Sequence, residues 1–587
     1  MIQKFMNSGN LVKYVIISIA LASVSGFEID SEGSESYGHQ DINVGNTEAP
    51  KFSATVVTGK SAGVATELEE CSKIGVEILK KGGSAVDSVI ASALCVGTIN
   101  SFAAGIGGGG FCTIRSPDGK VEFIDFRESA PSCSNETMYK SDLDKSKYGG
   151  LAVGVPGEIR GFEFLHSKHG KLNWEELFLP SINLSNEGFK VGPILHLRLD
   201  SSKEWILKDK QFKETYAPNG SLFKQGDLMR RPRFAATLTK IAKEGANAFY
   251  DGDIAKDIVE TIQNNGGIMT REDLKNYKAI PREPVISSVL NSTIITGSAP
   301  ASGAILVSAL KLLESVIKSC GKGSASDLYH KYAEVLKFGF ASRTRLGDPN
   351  FNKSIAEYSK EIITDKYINS LVPQVDLEKT HDPLYYKPYF GTQESHGTTH
   401  ISAIDSSGFS VTLTSTINLT FGSRVMTPKY GIILNDQMND FSTPGTANLT
   451  NLAPSPYNYV APNKRPLSSA VPTIIVKPNG EITVIGGSGG AKILSGVFQV
   501  LVESEINSKD LKASLDSPRL HHQLIPNELS YEESFDASIL KDLRNKGHNT
   551  TAWGDSHRSI IQIVRKRSDG CIEALSDNRK SGLADAY

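Results

Sequence analysis

The chain lacks the signals that mark most function classes. Its 63 basic and 65 acidic residues leave a net charge of −2, so no general attraction to nucleic acid is built in. Beyond the first thirty residues, no apolar run reaches the ~20 residues that span a bilayer. Six cysteines are present, and no spacing among them suggests a metal site. The adjacent His521 and His522 read as packing or hydrogen-bonding residues, not as ligands. No repeat of solenoid period is visible. Residues 105–110 (GIGGGG) lack the Gly-Lys-Ser/Thr that closes a P-loop. A strand pattern at 111–115, not a helix, follows them, which excludes a dinucleotide fingerprint. They read as a crowded backbone site where side chains do not fit.

What is present is ordinary for a globular protein: 587 residues, 39% hydrophobic and 22% charged, enough to bury a large core. Lys4 and Lys13 precede a short apolar run at 14–27 that ends in small residues. Residues 1–26 therefore read as a signal peptide, with a signal anchor as the alternative. Residues 27–52, rich in Ser, Gly and acidic residues, read as a flexible polar segment. Six cysteines fit an oxidising route. The secretory reading makes Asn135, Asn183, Asn219, Asn291, Asn352, Asn448 and Asn549 candidate glycosylation sites; Asn418 also begins a formal sequon.

Helical periodicity is predicted over 66–81 and 84–96, joined through Gly82-Gly83, and again over 301–320 and 325–345. Residues 121–126 read as a strand. Residues 381–397, with two prolines, read as an accessible loop. The C-terminal third is rich in strand patterns, with a hairpin signal at Pro478-Asn479-Gly480 and helices at 491–506 and 537–546. Periodicity alone supports a mixed α and β layered fold.

The sharpest local feature is Gly397-Thr398-Thr399-His400. Residues 399–405 alternate apolar and polar, Asp405-Ser406-Ser407-Gly408 is a turn signal, and 409–416 reads as the returning strand. Thr398 is expected at the first position of that hairpin. If the Gly397–Thr398 bond is cut, Thr398 gains an α-amine beside its own hydroxyl. With an ordinary pKa of about 8, that amine is a usable base.

The ordered motifs GTTHISAID, TSTINLTFGS, GIILNDQMNDFS, RPLSSAVPT and GGSGG, preceded by GGSAVDSVIASALCVGTIN, GIGGGGF and DFRESAP, resemble the γ-glutamyltransferase (glutathione hydrolase) family of N-terminal-nucleophile hydrolases. The similarity runs from residue 55 to 587. It implies an α/β (α+β) fold, a four-layer αββα sandwich formed jointly by a large chain, 53–397, and a small catalytic chain, 398–587. It implies Thr398 as nucleophile, Thr416 as its supporting contact, and Gly489 and Gly490 as the oxyanion hole. Arg127, Ser468 and Ser469 match the substrate carboxylate site; Asn418, Gln437 and Asp440 match the ammonium site. The alternative for Arg127 is a structural ion pair with Glu128 or Asp125. Gln437 stands where the mammalian pattern has glutamate. Cys71 and Cys95 are expected to pair. His400 is not expected to be the base.

The resemblance implies glutathione and other γ-glutamyl compounds as substrates, amino acids or dipeptides as acceptors, and no cofactor. The two chains are expected to form a heterodimer outside the cell, secreted or held by a type II anchor. Two rivals are a catalytically silent homologue acting as a binding protein, and an acylase of the same fold.

Overall fold

A computed structural model describes residues 53–391, 397–446, 452–554 and 559–587. The leader, the 27–52 segment and the Asn448 sequon lie outside these residues. The hairpin is the centre of the molecule. Thr399–Ile404 pairs antiparallel with Ser410–Thr416, Thr399 opposite Ser415. The Asp405 side chain closes the turn by accepting from the Ser407 N–H at 2.9 Å. Every residue of both strands is buried, because the hairpin has a sheet neighbour on each edge and layers above and below.

The hairpin belongs to an antiparallel seven-stranded sheet. Its order is Asp585–Ala586, Gly63–Ala65, Thr399–Ile404, Ser410–Thr416, Gly109–Arg115, Val121–Phe126 and Ile280–Arg282. The second sheet runs Val56–Gly59, Ile572–Ser576, Ile560–Lys566, Ile482–Ser488, Thr473–Val476, Ser292–Thr296 and Val285–Val289. Ile404, Ile474, Val484, Val564 and Ala574 pack between the two. Helices Glu69–Lys80 and Ala85–Ile99 cover the outer face of the first sheet. Helices Gly303–Cys320 and Lys492–Glu505 cover the second, and Ala325–Arg343 packs against Gly303–Cys320. This is the expected four-layer αββα sandwich. Each fully buried aliphatic side chain contributes about 1.5–3 kcal/mol. Both sheets interleave strands from before and after the Gly397–Thr398 bond, so neither part has a complete sheet alone. No helix among the described residues is long and apolar enough to cross a membrane.

Local chemistry moves some boundaries. The first helix starts at Glu69 rather than 66. The Thr66 hydroxyl bonds both the N–H and the carbonyl of Leu68 and holds a turn there instead. The second runs on to Ile99 from a capping box between Ser84 and Asp87. Cys71 and Cys95 form the expected disulfide, with Cα atoms 5.4 Å apart. Cys112 is buried; Cys133, Cys320 and Cys571 are also free thiols. The 381–397 loop is less open than expected: Pro383, Tyr386 and Pro388 are buried, although Leu384, Tyr385 and Tyr389 are exposed. Residues 392–396 lie outside the described residues.

The glycine run is a close crossing of backbones. A Cβ on Gly107 would overlap the Ile433 carbonyl, one on Gly108 that of Thr416, and one on Gly110 that of Thr414. Gly108→Ala is therefore expected to cost about 1–3 kcal/mol of stability and to displace Thr416. A lower unfolding temperature together with lost activity is the expected outcome; wild-type values in both assays contradict the crowding.

Candidate functional site

Thr398 stands one residue before the strand, not on it, and carries a φ of 112°. That is the left-handed region, unusual for a β-branched residue and a seat of backbone strain. The chain enters through Gly397, itself at φ 101°. A Cβ at 397 would overlap the Asn418 carbonyl oxygen, so glycine is required. Thr398 is 7% exposed. Its hydroxyl donates to the Thr416 hydroxyl at 3.3 Å. That hydroxyl also accepts the Asn418 N–H at 2.8 Å. Thr398, Thr416 and Asn418 are thus one hydrogen-bonded unit at the end of the hairpin.

Arg127 follows the strand Val121–Phe126, and Asp440 ends the short 3-10 turn Gln437–Asp440. They form a buried ion pair. Neither expected alternative forms the ion pair with Arg127, and both carboxyl oxygens of Glu128 lack a hydrogen-bond partner. Asp125 pairs with Arg282 and Arg465 at 2.7 Å each and accepts only the backbone N–H of Arg127. Burial pushes the Asp440 carboxyl up, and Arg127 pulls it back. Gln437 donates to Asp440 Oδ2 at 2.6 Å. Arg127 also donates to the Leu467 carbonyl at 3.4 Å, joining it to the loop that carries Ser468 and Ser469. The Ser468 hydroxyl accepts the Ala470 N–H at 3.1 Å.

Three buried acceptors here have no hydrogen-bond partner: Asn418 Oδ1, Gln437 Oε1 and Asp440 Oδ1. On Arg127 the buried donor Nε is likewise unpartnered. Buried polar atoms are rarely left so. Gly489 and Gly490, with φ of 118° and 60°, lead into the helix Lys492–Glu505. They follow Gly486, whose Cα lies against the His400 ring. His400 hydrogen-bonds Thr414 at 2.9 Å and Thr412 at 2.8 Å. Burial pushes it down to about 3, so it is neutral and structural. His521 bonds Ser495 at 2.7 Å, as a packing histidine does.

Several residues of the site are not singled out in the sequence, although Asn435 and Asp436 lie in GIILNDQMNDFS and Glu128 in DFRESAP. Asn435 donates to the carbonyls of Gly107 and Gly154 at 2.8 Å each, clamping the glycine run to the 435–440 segment. Asp436 accepts the Leu419 N–H at 2.9 Å, and its carbonyl accepts from the Asn418 amide at 3.2 Å. Glu158 accepts from Ser415, next to Thr416. Burial pushes both Glu158 and Glu128 up to about 8, which favours their neutral forms.

The family model for γ-glutamyltranspeptidase matches residues 71–587. The chain belongs to the γ-glutamyltranspeptidase family. Among curated relatives, glutathione hydrolase proenzyme 1 of Schizosaccharomyces pombe is 40% identical over 91% of this chain and 85% of its own length. Scoloptoxin SSD14 of Scolopendra dehaani is 38% identical over 89% of this chain and 92% of its own. Among solved structures, cephalosporin acylase from Bacillus halodurans superposes with a TM-score of 0.78 over 94% of this chain and 99% of that one. At 22% identity that likeness shows the fold alone.

Away from the γ-glutamyltranspeptidase motifs, His330, Glu334 and His548 bring potential ligand atoms within 4.8 Å of one another. Those atoms already bond each other and their neighbours. His330 and His548 share a 2.8 Å hydrogen bond. Glu334 accepts from Lys337 at 3.0 Å, Thr380 at 2.7 Å and Tyr386 at 2.6 Å. With an ammonium on the carboxylate, the cluster is a buried network, and it anchors the segment leading to Gly397.

The sequons divide cleanly. Asn135, Asn183, Asn219, Asn291, Asn352 and Asn549 are exposed, whereas Asn418 is 1% exposed. In protein made through a secretory route, Asn418 is expected to be bare even where the exposed sequons are occupied. Peptide mapping after deglycosylation in heavy-oxygen water checks this; labelled aspartate at 418 in fully active enzyme contradicts the buried placement.

Proposed function

We propose that the chain is a secreted γ-glutamyltransferase and glutathione hydrolase, made as one precursor that cuts itself between Gly397 and Thr398. The observation that carries the reading is a set of unpartnered buried atoms, the acceptors on Asn418, Gln437 and Asp440 and the Nε donor of Arg127, in a network joined to Thr398 through Thr416. An amino-acid head has an ammonium for the first and a carboxylate for the second. The acyl group of a plain amide would satisfy neither.

In maturation the Thr398 hydroxyl oxygen attacks the Gly397 carbonyl carbon. The C–N bond breaks, the hydroxyl proton passes to the new amine, and an ester joins the two parts. Water then cleaves the ester, leaving the Gly397 carboxylate and a free Thr398 amine. Left-handed backbone at both residues supports this step, since cleavage relieves it. The two chains stay together as a heterodimer because their strands alternate in both sheets.

In turnover the Thr398 amine takes the hydroxyl proton, and the oxygen attacks the γ-carbonyl of glutathione or a related compound. Thr416 orients the hydroxyl. The N–H groups of Gly489 and Gly490 face the oxyanion, helped by the helix N-terminus that follows. Arg127, Ser468 and Ser469 hold the α-carboxylate. Asn418, Gln437 and Asp440 hold the ammonium. Cysteinylglycine leaves with the proton, and water or an acceptor amine takes the glutamyl group from the threonine ester. The leader pattern and the Cys71–Cys95 disulfide support secretion.

Thr398→Ala is expected to give soluble, uncut and inactive protein, and Thr398→Ser to retain part of both reactions. Intact mass and N-terminal sequencing read this directly; a 397/398 cut in the alanine variant ends the assignment. Arg127→Lys keeps the charge and loses the fork. KM for glutathione is expected to rise about tenfold or more, the scale of one charge-assisted hydrogen bond, while processing persists. An unchanged KM makes Arg127 purely structural.

A further inference from the structure

A second guanidinium lies behind the Arg127–Asp440 pair. Arg343 is the last residue of the helix Ala325–Arg343 and is buried. Among the described residues no carboxylate lies within ion-pair distance of it. Its Nε donates to the Ser302 hydroxyl at 3.1 Å. That hydroxyl in turn donates to the Ser468 carbonyl at 2.6 Å. The Ser302 N–H donates to the Ala470 carbonyl at 3.0 Å. Ser302 therefore grips both ends of the turn from Ser468 to Ala470, and Arg343 grips Ser302. The charges of Arg343 and Asp440 stabilise each other across the site, and Arg127 opposes Arg343.

A buried cation without an adjacent carboxylate is costly unless something offsets it. The turn it supports carries the two serines beside Arg127. Resting on the reading above, we propose that Arg343 is a positioning residue for the substrate's α-carboxylate, acting through Ser302 on the Ser468–Ala470 turn and adding a second positive charge to that end of the site. Burial pushes its guanidinium down to about 10, so it stays charged at neutral pH. Its partners fit the role. A neutral side chain at 343 would release Ser302 to rotate, loosen the Ser468 carbonyl and leave Arg127 as the one cation behind the turn.

The test compares three competitive inhibitors of γ-glutamyl-4-nitroanilide hydrolysis. L-Glutamate has both charges, glutarate lacks the ammonium, and 4-aminobutyrate lacks the α-carboxylate. In processed Arg343→Gln enzyme, the inhibition constants of glutamate and glutarate are expected to rise about tenfold, the scale of one charge-assisted hydrogen bond, with 4-aminobutyrate unchanged. KM should follow glutamate, and kcat should fall far less than kcat/KM. Arg343→Lys should recover part of the loss. Ser302→Ala should show the same selectivity more weakly, and adding it to Arg343→Gln should give less than the sum. If Arg343→Gln is not processed, Ser302→Ala decides alone. Equal weakening of all three inhibitors, or no weakening of any, overturns the proposal. A wild-type enzyme indifferent to the α-carboxylate overturns the functional reading as well, so the two failures are distinct.

Discussion

The structure depends on one close approach of backbones. Gly107, Gly108 and Gly110 lie against the carbonyls of Ile433, Thr416 and Thr414, where no side chain fits. That contact brings three distant stretches to one place: the strand Gly109–Arg115, the end of the hairpin, and the 433–440 segment. Asn435 fixes it by bonding Gly107 and Gly154 together. From this crossing Thr416 reaches Thr398 on one side, while Gln437 and Asp440 reach Arg127 on the other. Thr398 and the Arg127–Asp440 pair are brought together because the glycines allow it.

Charge is arranged around the crossing with equal economy. Glu128, Glu158 and Asp436 are buried where ionisation is disfavoured, and burial raises all three. Asp440 has the Arg127 guanidinium bonded to it, and Asp125 has those of Arg282 and Arg465. Charge is thus paired at Arg127 with Asp440 and at Asp125 with Arg282 and Arg465, while burial disfavours ionisation of Glu128, Glu158 and Asp436. Neutral acids still accept hydrogen bonds, as Glu158 does from Ser415. They add polarity without competing for the cations.

Local signals in the sequence were enough for the hairpin, the crowding at residues 105–110, most helices and the layered class. Each of these is set by neighbours within a few residues, through alternation, turn chemistry or caps. The resemblance supplied the Cys71–Cys95 pair and the residues to examine. What neither supplied is how those residues meet. Arg127 and Asp440 are 313 positions apart, and nothing near either predicts that they bond each other. Thr398 was expected on the strand, yet it precedes it, because alternation cannot register a backbone that turns left-handed before pairing begins. Arg343 lies within the helical pattern at 325–345, where nothing local marks it as buried, because burial is set by the whole fold.

The ion pair between Arg127 and Asp440 bears on selectivity under the proposed function. With no ligand between them, each buried charge has the other as its partner. A ligand carrying only a carboxylate would draw Arg127 away and leave Asp440 exposed to a poor environment. A ligand carrying only an ammonium would do the reverse. Breaking a buried pair by satisfying one partner is unfavourable, because the other is left uncompensated. A zwitterionic head offers both replacements at once, its ammonium to Asp440 and its carboxylate to Arg127. The site can therefore reject singly charged acyl groups more strongly than its count of contacts suggests, since the penalty comes from its own stranded charge. That asymmetry is a property of these two side chains meeting, and it would vanish if they were held apart by separate partners.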